Sequence, residues 1–116
     1  MHILFAGGGT AGHINPAFAV AGYLKRVNPE CKISFIGTAK GMESRLVPLE
    51  GYDFYTINVS GFQRKITIKN IFRNVSAVYK VFTASSAARK ILKTIKPDVV
   101  VGTGGYVCGP VLREAA

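Results

Sequence analysis

The residues best suited to chemistry are a glycine run that ends on a histidine, Gly7-Gly8-Gly9-Thr10-Ala11-Gly12-His13. Glycines let backbone N–H groups face a ligand with no Cβ in the way. A helix opening behind them adds about half a positive charge at its N-terminus. Gly7, Gly9 and Gly12 satisfy the pattern G-x-G-x-x-G, a weak signal taken alone. His13 sharpens it. Imidazole is a base near neutrality and can assist attack by a hydroxyl, and a helix N-terminus favours its neutral form. A histidine that only caps or shapes the turn is the plain alternative. A second run, Gly102-Thr103-Gly104-Gly105-Tyr106-Val107-Cys108-Gly109-Pro110, reads as an anion nest around Gly104 and Gly105, or as punctuation before a helix at Pro110. His2 reads as structural or exposed.

Both runs need elements to hold them. Ile3–Ala6 is expected as the first strand. A helix follows over Asn15–Val27, with Asn15 as N-cap and Pro16 as first helical residue. Lys32–Ile36 reads as the second strand. Met42–Leu49 reads as a short helix ending at Gly51 in the C′ position. Asp53–Val59 is the third strand, and Ser60–Thr67 a basic loop. Ile68–Ile95 is the longest helical pattern, one helix or two, with Thr83-Ala84-Ser85-Ser86 as its weak spot. Asp98–Val101 is the fourth strand, a valine run suited to burial on both faces; a helix starts at Val111. This strand–helix alternation predicts an α/β fold, a Rossmann-like doubly wound parallel sheet. Ligands on such sheets bind at the carboxyl ends of the strands, where both glycine runs lie. If the first and fourth strands are adjacent, the two turns face one crevice. The chain stops inside the helix after the fourth strand, where such a domain normally continues. An incomplete domain, or half of a split protein, is the expectation.

The 116 residues are 48% hydrophobic, enough for the core of one unit. No apolar run reaches the roughly 18–20 residues of a membrane span, and no signal peptide is evident. Cys31 and Cys108 have neither metal nor redox spacing and read as reduced thiols. The net charge of +9 is concentrated. Between Phe54 and Pro97 there are nine bases and no acid, whereas the rest of the chain carries six of each. A solvated helix face is the ordinary meaning of such a run. The missing acids disfavour intrahelical pairing. Arg64, Lys65, Lys69, Arg73 and Lys80, with Phe72 and Tyr79 beside them, fit an anionic membrane surface better. No RNP pattern or recognition helix supports nucleic acid as the partner.

The two glycine runs at this separation, with Phe35-Ile36-Gly37-Thr38, Met42-Glu43, Leu46-Val47-Pro48 and Lys96-Pro97-Asp98-Val99-Val100, resemble the MurG family over the whole chain. These are the bacterial UDP-N-acetylglucosamine transferases of peptidoglycan synthesis. The resemblance implies the two-domain GT-B fold, with residues 1–116 as a truncated, acceptor-side N-terminal domain and the C-terminal donor-binding domain absent. It implies inverting transfer of N-acetylglucosamine from UDP-N-acetylglucosamine to the 4-hydroxyl of the muramoyl peptide on undecaprenyl diphosphate, converting lipid I to lipid II. The expected setting is the cytoplasmic membrane face, with no cofactor and no catalytic metal. Carried residue by residue, it makes His13 catalytic, as general base or orienting group. Thr10, Ala11 and Gly12 would face the donor across the cleft. Gly8, Gly9, Gly104, Gly105 and Tyr106 would hold the acceptor through its diphosphate. Many relatives carry glycine where Ala11 stands. The chain alone is not expected to turn over substrate. Two alternatives stay open: a membrane-associated subunit of a split glycosyltransferase, and a non-catalytic nucleotide- or anion-binding module.

Overall fold

The computed structural model describes residues 1–58, 84–105 and 107–116. The expected basic loop 60–67, the helical pattern 68–83 and Tyr106 lie outside the described residues. Among the described residues, four parallel strands form one sheet in the order β3-β2-β1-β4: β1 His2–Gly7, β2 Lys32–Gly37, β3 Asp53–Thr56 and β4 Val99–Gly104. Helices α1 (Ala11–Val27) and α2 (Glu43–Leu49) follow β1 and β2. Residues 84–95 are helical, α3, and α4 spans Cys108–Ala115.

The alternation of side chains along β1 builds both cores. Ile3 and Phe5 pair in register with Ile33 and Phe35, and the four pack with Ile14, Ala17 and Ala21 of α1 and Val47 of α2. Leu4 and Ala6 point the other way, into a core with Ile36, Ala84 and Ala88 of α3 and Val111 of α4. Phe35 sits at the centre of the first core, its ring 5.2 Å from those of Phe5 and Tyr52 and 5.4 Å from Phe18. A sheet covered on both faces explains why β1 and β2 are almost wholly buried. The chain runs outward from β1 through β2 to β3, then returns to β4 on the other side of β1. The strand order therefore reverses between β1 and β4, and a crevice opens there at the carboxyl ends.

Several boundaries differ from the sequence expectation. Helix α1 begins at Ala11, four residues before Asn15, because the Thr10 carbonyl already accepts from the N–H groups of His13 (3.1 Å) and Ile14 (3.2 Å). Thr10, not Asn15, is the N-cap, with extended backbone. Pro16 lies inside the helix, where it withholds one N–H from the Gly12 carbonyl without ending the helix. Strand β4 runs on to Gly104 instead of stopping at Val101. Gly102 pairs with Ala6 and Gly104 with Gly7, so Thr103 is the extra residue of a bulge. Helix α4 starts at Cys108, not Val111, which puts Pro110 in its first turn, where a missing N–H costs little. Strand β3 ends at Thr56, short of Val59.

The end of α2 follows expectation. Gly51 has φ +82, its N–H donates to the Pro48 carbonyl (3.0 Å) and the Tyr52 N–H to Val47 (3.3 Å), a Schellman stop. One base of the acid-free stretch finds its partner outside it: Arg89 of α3 donates to Glu114 of α4 at 2.7 Å.

Candidate functional site

The turn from β1 to α1 and the turn from β4 to α4 meet because their strands are neighbours. The contact is close. A Cβ at Gly105 would stand 2.6 Å from the Gly8 carbonyl oxygen, and one at Gly104 would run into the His13 ring. Both residues also have positive φ, +126 at Gly104 and +93 at Gly105, so glycine is required there twice over. Between the turns opens a cleft of about 610 Å³ lined by Gly8, Gly9, Thr10, His13, Thr38, Glu43, Gly105 and Val107.

His13 is the third residue of α1, half-buried, and its ring is fixed from one side. Nδ1 lies 3.1 Å from the Gly8 carbonyl oxygen and 3.2 Å from Thr10 Oγ1. A carbonyl can only accept, so the Gly8 contact is a hydrogen bond when Nδ1 carries the proton. In the neutral ring that leaves Nε2 as the basic nitrogen. Nε2 has no partner among the described residues.

Glu43 is the residue that sequence reasoning passed over. It opens α2 yet is fully buried. Its Oε2 accepts from the Gly9 N–H (2.9 Å), and its Oε1 from the N–H (2.9 Å) and hydroxyl (3.0 Å) of Thr38. Burial pushes the carboxyl up, but the bonds from Gly9, Thr38 and its own N–H together outweigh burial and hold it below the usual glutamate value. Sequence signals were faint. A glutamate at a helix start looks like ordinary dipole compensation; only the two glycines shortly before it, Gly37 and Gly41, hint that something must fit against them.

The second turn is held by Cys108. The Gly104 N–H donates to its Sγ (3.1 Å), and the thiol faces the carbonyls of Ala6 (2.9 Å) and Gly104 (3.2 Å). The expected free thiol is indeed free, but it ties β4's turn to the end of β1.

Of the site residues expected from sequence, Gly8, Gly9, Thr10, His13 and Gly105 line one cleft, with Gly104 against the histidine ring. Ala11 and Gly12 lie exposed on the first turn of α1. Ala11 is helical, so it meets no positive-φ demand in place of glycine. The expectation that Gly8 and Gly9 offer backbone donors to a diphosphate meets an obstacle, since the Gly9 N–H is already given to Glu43. Tyr106 and the membrane-surface set Arg64, Lys65, Lys69, Phe72, Arg73, Tyr79 and Lys80 lie outside the described residues. Among the described residues no helix is long and apolar enough to cross a membrane.

Comparison with known proteins gives the chain relatives in sequence and in fold. The model of the glycosyltransferase family 28 N-terminal domain matches residues 3–116. The chain is 53% identical over 116 residues to the UDP-N-acetylglucosamine–N-acetylmuramyl-(pentapeptide) pyrophosphoryl-undecaprenol N-acetylglucosamine transferase of Ruminiclostridium cellulolyticum, covering 100% of this chain and 31% of that protein. It is 50% identical to the protein of the same name from Acetivibrio thermocellus, covering 100% of this chain and 30% of the relative. The crystal structure of Acinetobacter baumannii MurG matches with a TM-score of 0.79 at 34% identity, covering 98% of this chain and 32% of that one. The chain thus spans less than a third of the length of these relatives.

Proposed function

The chain belongs to glycosyltransferase family 28, whose N-terminal domain it represents, and from that premise we propose that it is the acceptor-side part of an enzyme that transfers N-acetylglucosamine from UDP-N-acetylglucosamine to lipid I, giving lipid II. One observation carries the reading: two glycine turns at the β1/β4 switch point close on a single histidine whose Nε2 has no partner among the described residues.

In this reading the muramoyl 4-hydroxyl lies against His13 Nε2. The hydroxyl oxygen attacks the anomeric carbon of the donor sugar as its proton passes to Nε2. The bond from that carbon to the diphosphate breaks with inversion, and UDP leaves with the electron pair. The exposed first turn of α1 supports a place for the donor at Thr10, Ala11 and Gly12. Thr10 makes no side-chain cap bond, so the first N–H groups of the helix stay open at its positive end. The acceptor diphosphate belongs at the second turn, Gly104 and Gly105 with Tyr106. Gly8 and Gly9 shape the wall opposite, because Glu43 has taken the Gly9 donor and brings negative charge to that side.

The remaining two-thirds of the enzyme supplies the donor-binding domain, and this chain alone does not turn over. The basic stretch, Arg64 to Lys80 with Phe72 and Tyr79, holds the enzyme at the anionic cytoplasmic membrane face, where its lipid-linked acceptor resides. The direct test is label transfer. The complete enzyme, given UDP-N-acetylglucosamine labelled in the sugar and lipid I in detergent, should move the label into the lipid fraction in a time-dependent way. No transfer under conditions where a related enzyme works would reject the reading.

A further inference from the structure

We propose that Glu43 is a positioning residue for His13 and acts on it through the Gly8–Gly9 peptide group. The two hydrogen bonds at the first turn share that peptide. Its N–H end, on Gly9, donates to Glu43 Oε2 at 2.9 Å; its carbonyl end, on Gly8, faces His13 Nδ1 at 3.1 Å. A peptide group is planar and rigid, so the orientation of one end sets the other.

Left to itself this peptide is poorly determined. It joins two glycines with φ +154 and φ +86, and glycine pairs reorient readily. A flipped peptide would turn the carbonyl away from Nδ1 and present an N–H instead. Nδ1 would then keep only the Thr10 hydroxyl among the described residues, which can accept from it or donate to it and so fixes neither tautomer, and Nε2 would cease to be reliably the base. Glu43 holds one orientation because a carboxylate accepts the Gly9 N–H and would repel a carbonyl in its place. The carboxylate cannot follow a flip, since Thr38 grips its other oxygen twice, at 2.9 and 3.0 Å. The surroundings are cut to admit it: a Cβ at Gly8, Gly37 or Gly41 would collide with the Glu43 side chain. Its negative charge also polarises the peptide, which strengthens the bond its carbonyl accepts. The role resembles that of a carboxylate that orients a histidine directly, with a peptide group interposed.

The consequence for turnover rests on the transferase reading; the consequence for the ring rests on geometry alone, and the experiment separates them. In the complete enzyme labelled with ¹⁵N-histidine, the imidazole nitrogens report the tautomer, and His13→Gln identifies the His13 signals. The wild type should show neutral His13 protonated on Nδ1. Glu43→Gln offers one acceptor oxygen where two are needed, so it should convert that pattern to a mixture of tautomers. It should also lower kcat by about 10- to 100-fold, with a much smaller change in KM. Glu43→Asp keeps the charge one methylene further back and should recover part of both. Thermal melts establish that each variant is folded; if Glu43→Gln does not fold, Glu43→Asp carries the comparison, with a partial change expected. An unchanged tautomer pattern in the folded variants would overturn the proposal whatever the activity. Wild-type turnover by His13→Gln would instead overturn the catalytic role of His13, with the spectra still deciding what Glu43 does.

Discussion

The turn after β1 is braced by a carboxylate and the turn after β4 by a thiol, although the two are alike in glycine content and in position at a strand's carboxyl end. Glu43 accepts three hydrogen bonds from Gly9 and Thr38 as an ionised, buried group. Bonds to an ionised acceptor are roughly twice as strong as neutral ones. Cys108 takes one N–H and offers one weak proton to the carbonyls around it. The contrast separates two uses of glycine that look identical in sequence. In the first turn the glycines make room for a side chain that fixes a neighbouring histidine. In the second, Gly105 lets backbone approach the Gly8 carbonyl and Gly104 leaves room for the histidine ring itself.

Substitution can break this comparison. Glu43→Ala leaves the N–H groups of Gly9 and Thr38 without their acceptor and opens a cavity, so it should destabilise by about 2–4 kcal/mol in denaturant unfolding. Gly105→Ala forces a Cβ against the Gly8 carbonyl at positive φ and should cost about 1–3 kcal/mol. Gly9→Ala, at φ +86 but with open space around it, should cost less than Gly105→Ala, because only the backbone strain remains. Cys108→Ser keeps a donor and an acceptor and should change stability by less than about 1 kcal/mol. Equal losses for Glu43→Ala and Cys108→Ser would mean that the two braces do not differ as described.

Acid sharpens the same contrast. The Glu43 carboxyl titrates below its ordinary 4.5 in the folded chain. On acidification the unfolded chain therefore takes up this proton first. The stabilisation from Glu43 is complete above that ordinary value and is lost as pH falls through the lower, folded one. Glu43→Gln should flatten this part of the stability profile, and Cys108→Ser should leave it in place.

The sheet, both turns and their meeting at one crevice were legible because strand periodicity and glycine position are local signals, and the switch point follows from the winding rule. Helix α1 was misplaced because Pro16 looked like a first helical residue; nothing in the sequence shows that the Thr10 carbonyl has already started the helix. The end of β4 was placed early because Gly102 and Gly104 look like turn residues, whereas pairing with β1 carries the strand through them. Glu43 was missed for a different reason. Its meaning depends on Gly9, 34 positions away in sequence, and no period or spacing connects them.

The central claim is that the histidine between the two turns takes the acceptor's proton. It is tested most directly by the turnover of His13→Ala in the complete enzyme, read beside its unfolding midpoint. The account predicts a fall in kcat of about 10²- to 10⁴-fold with the fold intact. Wild-type kcat in a folded His13→Ala enzyme would contradict it.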